Sequence, residues 1–200
     1  MATQVVVFDL GGVLIELGGT HVLGQLVGEE REEEIWRRWL SCPWVRRFER
    51  GRCSTAEFAA SMVREWRLPI EADEFLHTFL SWPRGLYPDA EALVAGLAGR
   101  VRRACFSNTN ELHWNRQHDA EKLAALFDVV FVSHQMGLVK PDREAFEHVV
   151  SELGCPAGEI LFLDDNQINV EGALAVGLDA HRVAGIEGAQ QVLAARRLYP

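Results

Sequence analysis

Short apolar runs rich in β-branched residues recur along the chain at 5–8, 101–106, 129–132, 160–163 and, more weakly, 180–183, with polar helix-forming sequence between them. A run that is apolar throughout suits a strand buried on both faces. Alternation of such strands with helices predicts a parallel sheet covered on both sides. Local signals support the helices. Asp89 follows Pro88 just before ALVAGLAG, Pro141 and Asp142 open a helix through Glu152 that stops near Gly154, and a helix over 170–176 ends at Gly177.

One interval breaks the rhythm. From residue 18 to about 85 the amphipathic segments EEREEEIWRRWL, STAEFAASMVREW and EADEFLHTFLSW follow one another, separated by SCPWVRRFERGRC and RLPI. This stretch is too long for one crossover helix, so a helical unit over 18–84 is expected as an insertion into a core made of 1–17 and 85–200. The acidic-then-basic order of EEREEEIWRR suits a helix dipole and i to i+4 pairing, which makes it a solvated face.

With 200 residues, 48% of them hydrophobic, the chain can bury a full core and still carry an insertion. A formal net charge of −9 argues against a nucleic-acid partner. The charge is uneven: residues 29–67 hold nine arginines against eight glutamates, so that segment can tolerate an anion. Cys42, Cys53, Cys105 and Cys155 form no CxxC pair, which suggests neither a zinc site nor a disulfide framework and fits a reducing cytoplasm. Asp9 interrupts the first apolar run, no basic n-region precedes it, and no run of 18 apolar residues occurs; a signal peptide, a membrane span and a membrane partner are therefore not expected.

In an open parallel sheet, ligands bind beyond the carboxyl ends of the strands. Asp9 follows the first strand, Ser107, Asn108 and Thr109 the second, Lys140 lies beyond the third, and Asp164 and Asp165 follow the fourth. Each has an ordinary alternative: a turn aspartate, helix-start residues, a solvated loop lysine, an Asx turn. Together they bring a carboxylate, a hydroxyl with an amide, an ammonium and a carboxylate pair to one edge. Three carboxylates in one pocket repel unless a cation neutralises them, and an all-oxygen set favours a hard ion, here Mg²⁺. A metal, a lysine and directed donors make a home for a phosphoryl group, in which Asp9 could attack phosphorus to form an acyl-phosphate.

The chain resembles the haloacid dehalogenase-like hydrolase superfamily through FDLGGVL around Asp9, FSNTN around Ser107, LVKPD around Lys140 and FLDDNQINVEGA around Asp164 and Asp165. The first, second and last of these segments look like the bacterial glucose-1-phosphate phosphatase branch. The resemblance implies a Rossmann-like three-layer core with a parallel sheet, and a helical cap in the insertion. It implies Asp9 as nucleophile, Ser107 and Asn108 as phosphoryl-binding residues and Lys140 as the balancing charge. Mg²⁺ would be held by Asp9, the Gly11 carbonyl and Asp165, with Asp164 close by, while Asn169 supports Asp165. The implied activity is a Mg²⁺-dependent phosphatase acting on a small phosphorylated metabolite such as a sugar phosphate, in a monomer or homodimer.

One departure matters. Most phosphatases of this superfamily carry an acid/base aspartate two residues after the nucleophile; here that residue is Gly11. General acid/base help contributes about 10²- to 10⁴-fold, so either turnover is slow or another group moves the proton. His113 in NELHW is one substitute, against the alternative of a surface helix histidine. Trp44, Arg46 and Arg47 in the insertion could close over a sugar phosphate, packing and exposure being the ordinary reading. The glycine also leaves open a 2-haloacid dehalogenase, which needs no leaving-group acid, and a non-catalytic phosphate-binding protein.

Overall fold

The computed structural model describes residues 2–29, 31–97, 99–116 and 120–199. The chain begins with β1 (Val5–Phe8) and β2 (Ile15–Leu17), then passes through five helices, α1 (Gly19–Val27), α2 (Glu32–Ser41), α3 (Pro43–Glu49), α4 (Thr55–Trp66) and α5 (Ala72–Leu80). It returns through β3 (Pro83–Leu86), α6 (Ala90–Ala95), β4 (Arg102–Ser107), α7 (Glu111–Arg116), α8 (Ala120–Ala125) and β5 (Val129–Val132). The remainder is α9 (Ser133–Met136), α10 (Arg143–Leu153), a 3₁₀ turn (Ala157–Glu159), β6 (Ile160–Asp164), α11 (Gln167–Ala175), β7 (Asp179–Arg182) and α12 (Gly185–Ala195).

The five long-range strands form one sheet in the order β5-β4-β1-β6-β7, parallel throughout. Because side chains alternate across a strand, Val6 and Phe8 join one buried cluster with Leu14, Leu93 and Leu193, while Val5 and Val7 join another with Phe146, Val149 and Phe162. Burial on both faces is why these strands read as continuous apolar runs. The sheet and its two helical layers make the three-layer Rossmann-like architecture expected from the sequence. β4 and β7 each shift by one residue from the predicted bounds.

Register sets the site. Phe8 pairs with Cys105 of β4 and Leu163 of β6, so Asp9, one residue on, stands level with Phe106 and Asp164 at the carboxyl edge. The turn after β1 depends on Gly12, whose φ of +69° is left-handed and whose missing Cβ would lie 2.1 Å from Asp165 Oδ2. Gly12 thus does more than permit a turn: it makes room for a carboxylate from β6.

The helices α1 to α5 pack around a separate apolar cluster that includes Trp39, Phe58, Met62, Phe75 and Phe79. Ser54 caps α4 by accepting from the Glu57 amide at 3.2 Å, the arrangement S-T-A-E encodes. In α2, Arg37 pairs with Glu33 and Glu34 at 3.4 and 2.8 Å on an exposed face, as the charge order predicts. Two features differ from expectation. SCPWVRRFERGRC, read as a connection, holds α3, with Pro43 at its first turn and Val45, Phe48 and Glu49 turned inward. β2 and β3 pair antiparallel, Ile15 opposite Leu86, at the point where the chain leaves and re-enters the core. Such short strands, some seventy residues apart, have no local pattern to announce them. No helix among the described residues is long and apolar enough to cross a membrane.

Candidate active site

The strand ends converge on one lysine. Lys140 is buried, and its Nζ lies 2.9 Å from Asp9 Oδ1 and 2.6 Å from Asp164 Oδ2, while also donating to the Phe106 carbonyl at 2.9 Å. Burial pushes its ammonium toward the neutral form, but Asp164 and Asp9 more than compensate and raise its pKa above the usual lysine value. Asn108 holds the lysine in place: its Nδ2 donates to the Lys140 carbonyl at 3.0 Å and its Oδ1 accepts from the Lys140 amide at 2.9 Å. The Asn108 side chain, expected to contact a phosphoryl group, is therefore engaged with the lysine backbone.

Asp9, Asp164 and Asp165 bring carboxylate oxygens within 4.8 Å of one another. Burial pushes the Asp9 carboxyl up to about 7, against the opposing pull of Lys140. Asp165 is pushed to about 8, by burial first and then by repulsion from Asp9 and Asp164. Asp164 is saturated by protein donors: Lys140, the Asn166 amide at 2.8 Å, and Asn169 Nδ2 at 3.1 Å from each oxygen. Asn169 therefore supports Asp164 rather than Asp165, a correction to the sequence expectation. Flipping its amide would turn an oxygen toward a carboxylate, so its orientation follows from the network. The Asp164–Asp165–Asn166 run is also an Asx-capped helix start, since Asn166 accepts from the Ile168 amide at 3.0 Å.

This donor set suits a hard divalent cation. Asp9 is buried and Asp165 half-buried, their charged forms lack full compensation, and every available donor is oxygen. Asn169 Oδ1 is one of three buried side-chain atoms without a partner among the described residues, and Asn169 lines the cavity beside Asp9 and Asp165. Magnesium fits residues already in position.

The cavity has a volume of about 110 Å³. Asp9, Gly11, Ser107, Asn108, Lys140 and Asp165 form its floor. Its upper wall comes from the insertion and includes Trp36, Trp39, Leu40, Phe79 and Trp82, with Glu49 as its one carboxyl group. A wide cleft of about 1160 Å³ reaches the same place from outside, sharing Leu17, Trp36, Asp165 and Asn166. Gly11 is where the usual aspartate would stand; a Cβ there would come within 2.7 Å of the Leu17 side chain, which has taken the space.

Other expected residues fall elsewhere. Thr109 is tied to Ser133, its amide donating to Oγ at 2.9 Å and its carbonyl accepting at 2.7 Å. Trp44, Arg46 and Arg47 are not among the cavity residues. Arg46 clasps Asp142 at 2.6 Å, joined by Arg50, and Arg47 lies over the Trp44 ring at 4.9 Å. Packing and ion pairing account for all three. His113 lines the cavity, but Nε2 sits 2.8 Å from the Phe79 carbonyl and Nδ1 3.3 Å from Asn110 Nδ2. Because a carbonyl only accepts, Nε2 carries the proton and Nδ1 is the acceptor. Both ring nitrogens are occupied.

Glu49, Trp36, Trp39, Phe79 and Trp82 were not singled out as site residues from the sequence. Each sits within an amphipathic helix or beside one, and nothing local separates a cavity-facing aromatic from a core one.

Fold and site together define an α/β enzyme with an acidic pocket at the strand ends, roofed by an inserted helical layer. The chain belongs to the haloacid dehalogenase-like hydrolases, whose family profile matches residues 3–177. It is 31% identical to a sesquiterpene phosphatase of Aspergillus oryzae over 86% of this chain and 85% of that protein. Among solved structures, it is similar to an HAD-like family hydrolase from Porphyromonas gingivalis, with a TM-score of 0.73, 25% identity and coverage of 99% and 98% of the two chains. It also shares its fold with an HAD family enzyme from Bacteroides thetaiotaomicron crystallised with magnesium and inorganic phosphate, with a TM-score of 0.69, 21% identity and coverage of 91% and 94%.

Proposed function

We propose that this hydrolase is a Mg²⁺-dependent phosphomonoesterase that works through a phosphorylated Asp9. The observation that carries the reading is Asp9 at 2.9 Å from a buried lysine, in a cavity shared with Ser107 and a second carboxyl, Asp165. A carboxylate oxygen so placed attacks phosphorus in line, the ester P–O bond breaks, and the Asp9 acyl-phosphate is then hydrolysed. Lys140 holds Asp9 and offsets phosphoryl charge, and the Ser107 hydroxyl at the cavity floor directs a donor toward an equatorial oxygen. Asp9 and Asp165 would hold magnesium with Asp164 beside them, and such an ion would neutralise the cluster and supply Lewis-acid polarisation of a phosphoryl group.

The leaving group occupies the upper wall. At about 110 Å³ the cavity is well below the roughly 300 Å³ at which pockets for drug-sized ligands begin, so a larger ester must extend into the outer cleft past Leu17 and Trp36. Trp36, Trp39, Leu40 and Phe79 make most of that wall aromatic and aliphatic, and it favours an apolar group next to the phosphoryl over the sugar expected from the sequence. The name of the Aspergillus oryzae relative points the same way.

The test is phosphate release with Mg²⁺ from matched panels of isoprenyl monophosphates and hexose phosphates. Turnover that EDTA stops, that Asp9→Asn lowers by about 10⁴-fold or more, and that is higher on the isoprenyl series supports both statements. Preference for hexose phosphates overturns the leaving-group reading alone. Halide release from a 2-haloacid with no phosphate release overturns the phosphatase reading. Stabilisation by phosphorylated ligands without any turnover favours a binding protein.

A further inference from the structure

The open question at this site is the proton. Gly11 supplies no side chain and Leu17 fills the space where one would stand. Among the described residues lining the cavity, the carboxyl groups are Asp9, Asp165 and Glu49. Asp9 is the attacking group and Asp165 belongs with it to the cation-binding cluster, which leaves Glu49. His113 lines the same cavity, but its Nε2 proton is directed to the Phe79 carbonyl and its Nδ1 to the Asn110 amide.

Glu49 is held as a working group would be held. It is the last residue of α3, buried, and its carboxylate accepts from the Trp39 side chain of α2. On either side of it Arg46 and Arg50 clasp Asp142, two residues beyond Lys140, so the end of α3 is tied to the loop that carries the site lysine. The carboxyl thus lines the cavity from the helices between β2 and β3, while Asp9 and Asp165 line it from the strand ends. An attacking group and a leaving group must lie on opposite sides of phosphorus in an in-line displacement.

Resting on the phosphomonoesterase reading, we propose that Glu49 is the general acid and base of the reaction. As Asp9 Oδ bonds to phosphorus and the ester P–O bond breaks, the electron pair stays on the leaving oxygen, which takes the Glu49 proton and departs as the alcohol. In the second step Glu49, now a carboxylate, accepts a proton from the water that attacks the acyl-phosphate. The Asp9–phosphorus bond breaks, and free Asp9, protonated Glu49 and inorganic phosphate result. The carboxyl is suited to this, because burial raises it to about 7, against the opposing effects of Trp39, Lys140 and Arg46 and with the help of Asp9.

The experiment compares the wild type with Glu49→Gln and Glu49→Asp in pre-steady-state assays with Mg²⁺. The substrates are a series of phosphate monoesters from dinitrophenyl to alkyl. For Glu49→Gln, the first step is expected to stay within a few-fold of the wild type on dinitrophenyl phosphate, which needs no protonation. On alkyl phosphates it should fall by about 10²- to 10⁴-fold, so that the rate depends more steeply on leaving-group pKa. Glu49→Asp keeps an acid at shorter reach and should lie between the two, which holds the test open should the glutamine variant fold poorly. A uniform loss across all leaving groups, or no loss, overturns the proposal while leaving the phosphatase reading intact. A folded wild type that releases no phosphate from any ester overturns both.

Discussion

The floor and the roof of one cavity are built in different ways. The floor residues Asp9 and Ser107, and Asp165 one residue beyond β6, stand at or just past the ends of adjacent parallel strands, so backbone register alone brings them together. The roof residues Trp39, Glu49 and Phe79 sit on three different helices, and reach the cavity only because those helices pack around a common apolar cluster. The floor is rigid by hydrogen bonding of the sheet. The roof is fixed by side-chain packing and by the Arg46–Asp142–Arg50 clasp. Catalytic position is therefore inherited from topology on one side and from tertiary fit on the other, and the two should respond differently to mutation.

Lys140→Met should have the largest effect on stability. It leaves the buried Asp9 and Asp164 without their common partner, and removal of one member of a buried pair costs about 3–5 kcal/mol. Urea unfolding should show that loss, with part of it restored by Mg²⁺; an unchanged midpoint would mean that the floor does not depend on its lysine. Gly12→Ala comes next. The left-handed backbone at φ +69° and the approach of Asp165 Oδ2 to the added carbon should together cost roughly 1–3 kcal/mol and weaken Mg²⁺ binding measured by calorimetry. Normal metal affinity in this variant would show that Asp165 does not depend on the glycine.

On the roof, pH gives the contrast. Glu49 has a folded-state pKa of about 7 against an ordinary 4.5, so the native state holds its proton more tightly. Its contribution to stability is whole below pH 4.5 and is lost as pH rises toward 7. The stability of the wild type relative to Glu49→Gln should accordingly fall between pH 4.5 and 7.5, read from urea midpoints at each pH; a pH-independent difference would place the carboxyl in solvent. The smallest effect is expected for Asp142→Ala. Its partners are partly exposed, so the loss should be about 1 kcal/mol. Activity on alkyl phosphates should fall by less than tenfold, through looser placement of α3, while dinitrophenyl phosphate is unaffected. An equal loss on both would assign the clasp to general stability.

The parallel sheet was legible because strands buried on both faces must be apolar at every position, as Val5 to Phe8 are. The floor was legible for a related reason: polar residues that interrupt such strands at their carboxyl ends have one shared edge to meet at. Less visible were pairings over distance. The β2–β3 ribbon joins residues 15 and 86, and α3 lay inside a stretch whose charges resemble a surface connection. Asn169 was read as serving Asp165 because sequence order says nothing of which oxygen an amide reaches; the geometry gives it to Asp164.

By itself the sequence determined an α/β core with Asp9, Ser107, Lys140, Asp164 and Asp165 at its strand ends, since hydrophobic periodicity and strand polarity are local properties that the chain carries in order. Only the tertiary structure decided that Leu17 occupies the space beside Gly11, that the arginines of α3 bind Asp142, and that Glu49 faces the cavity rather than solvent. Those outcomes depend on how helices distant in sequence pack against one another, and that is a property of the assembled core, where desolvation and close contact are settled together.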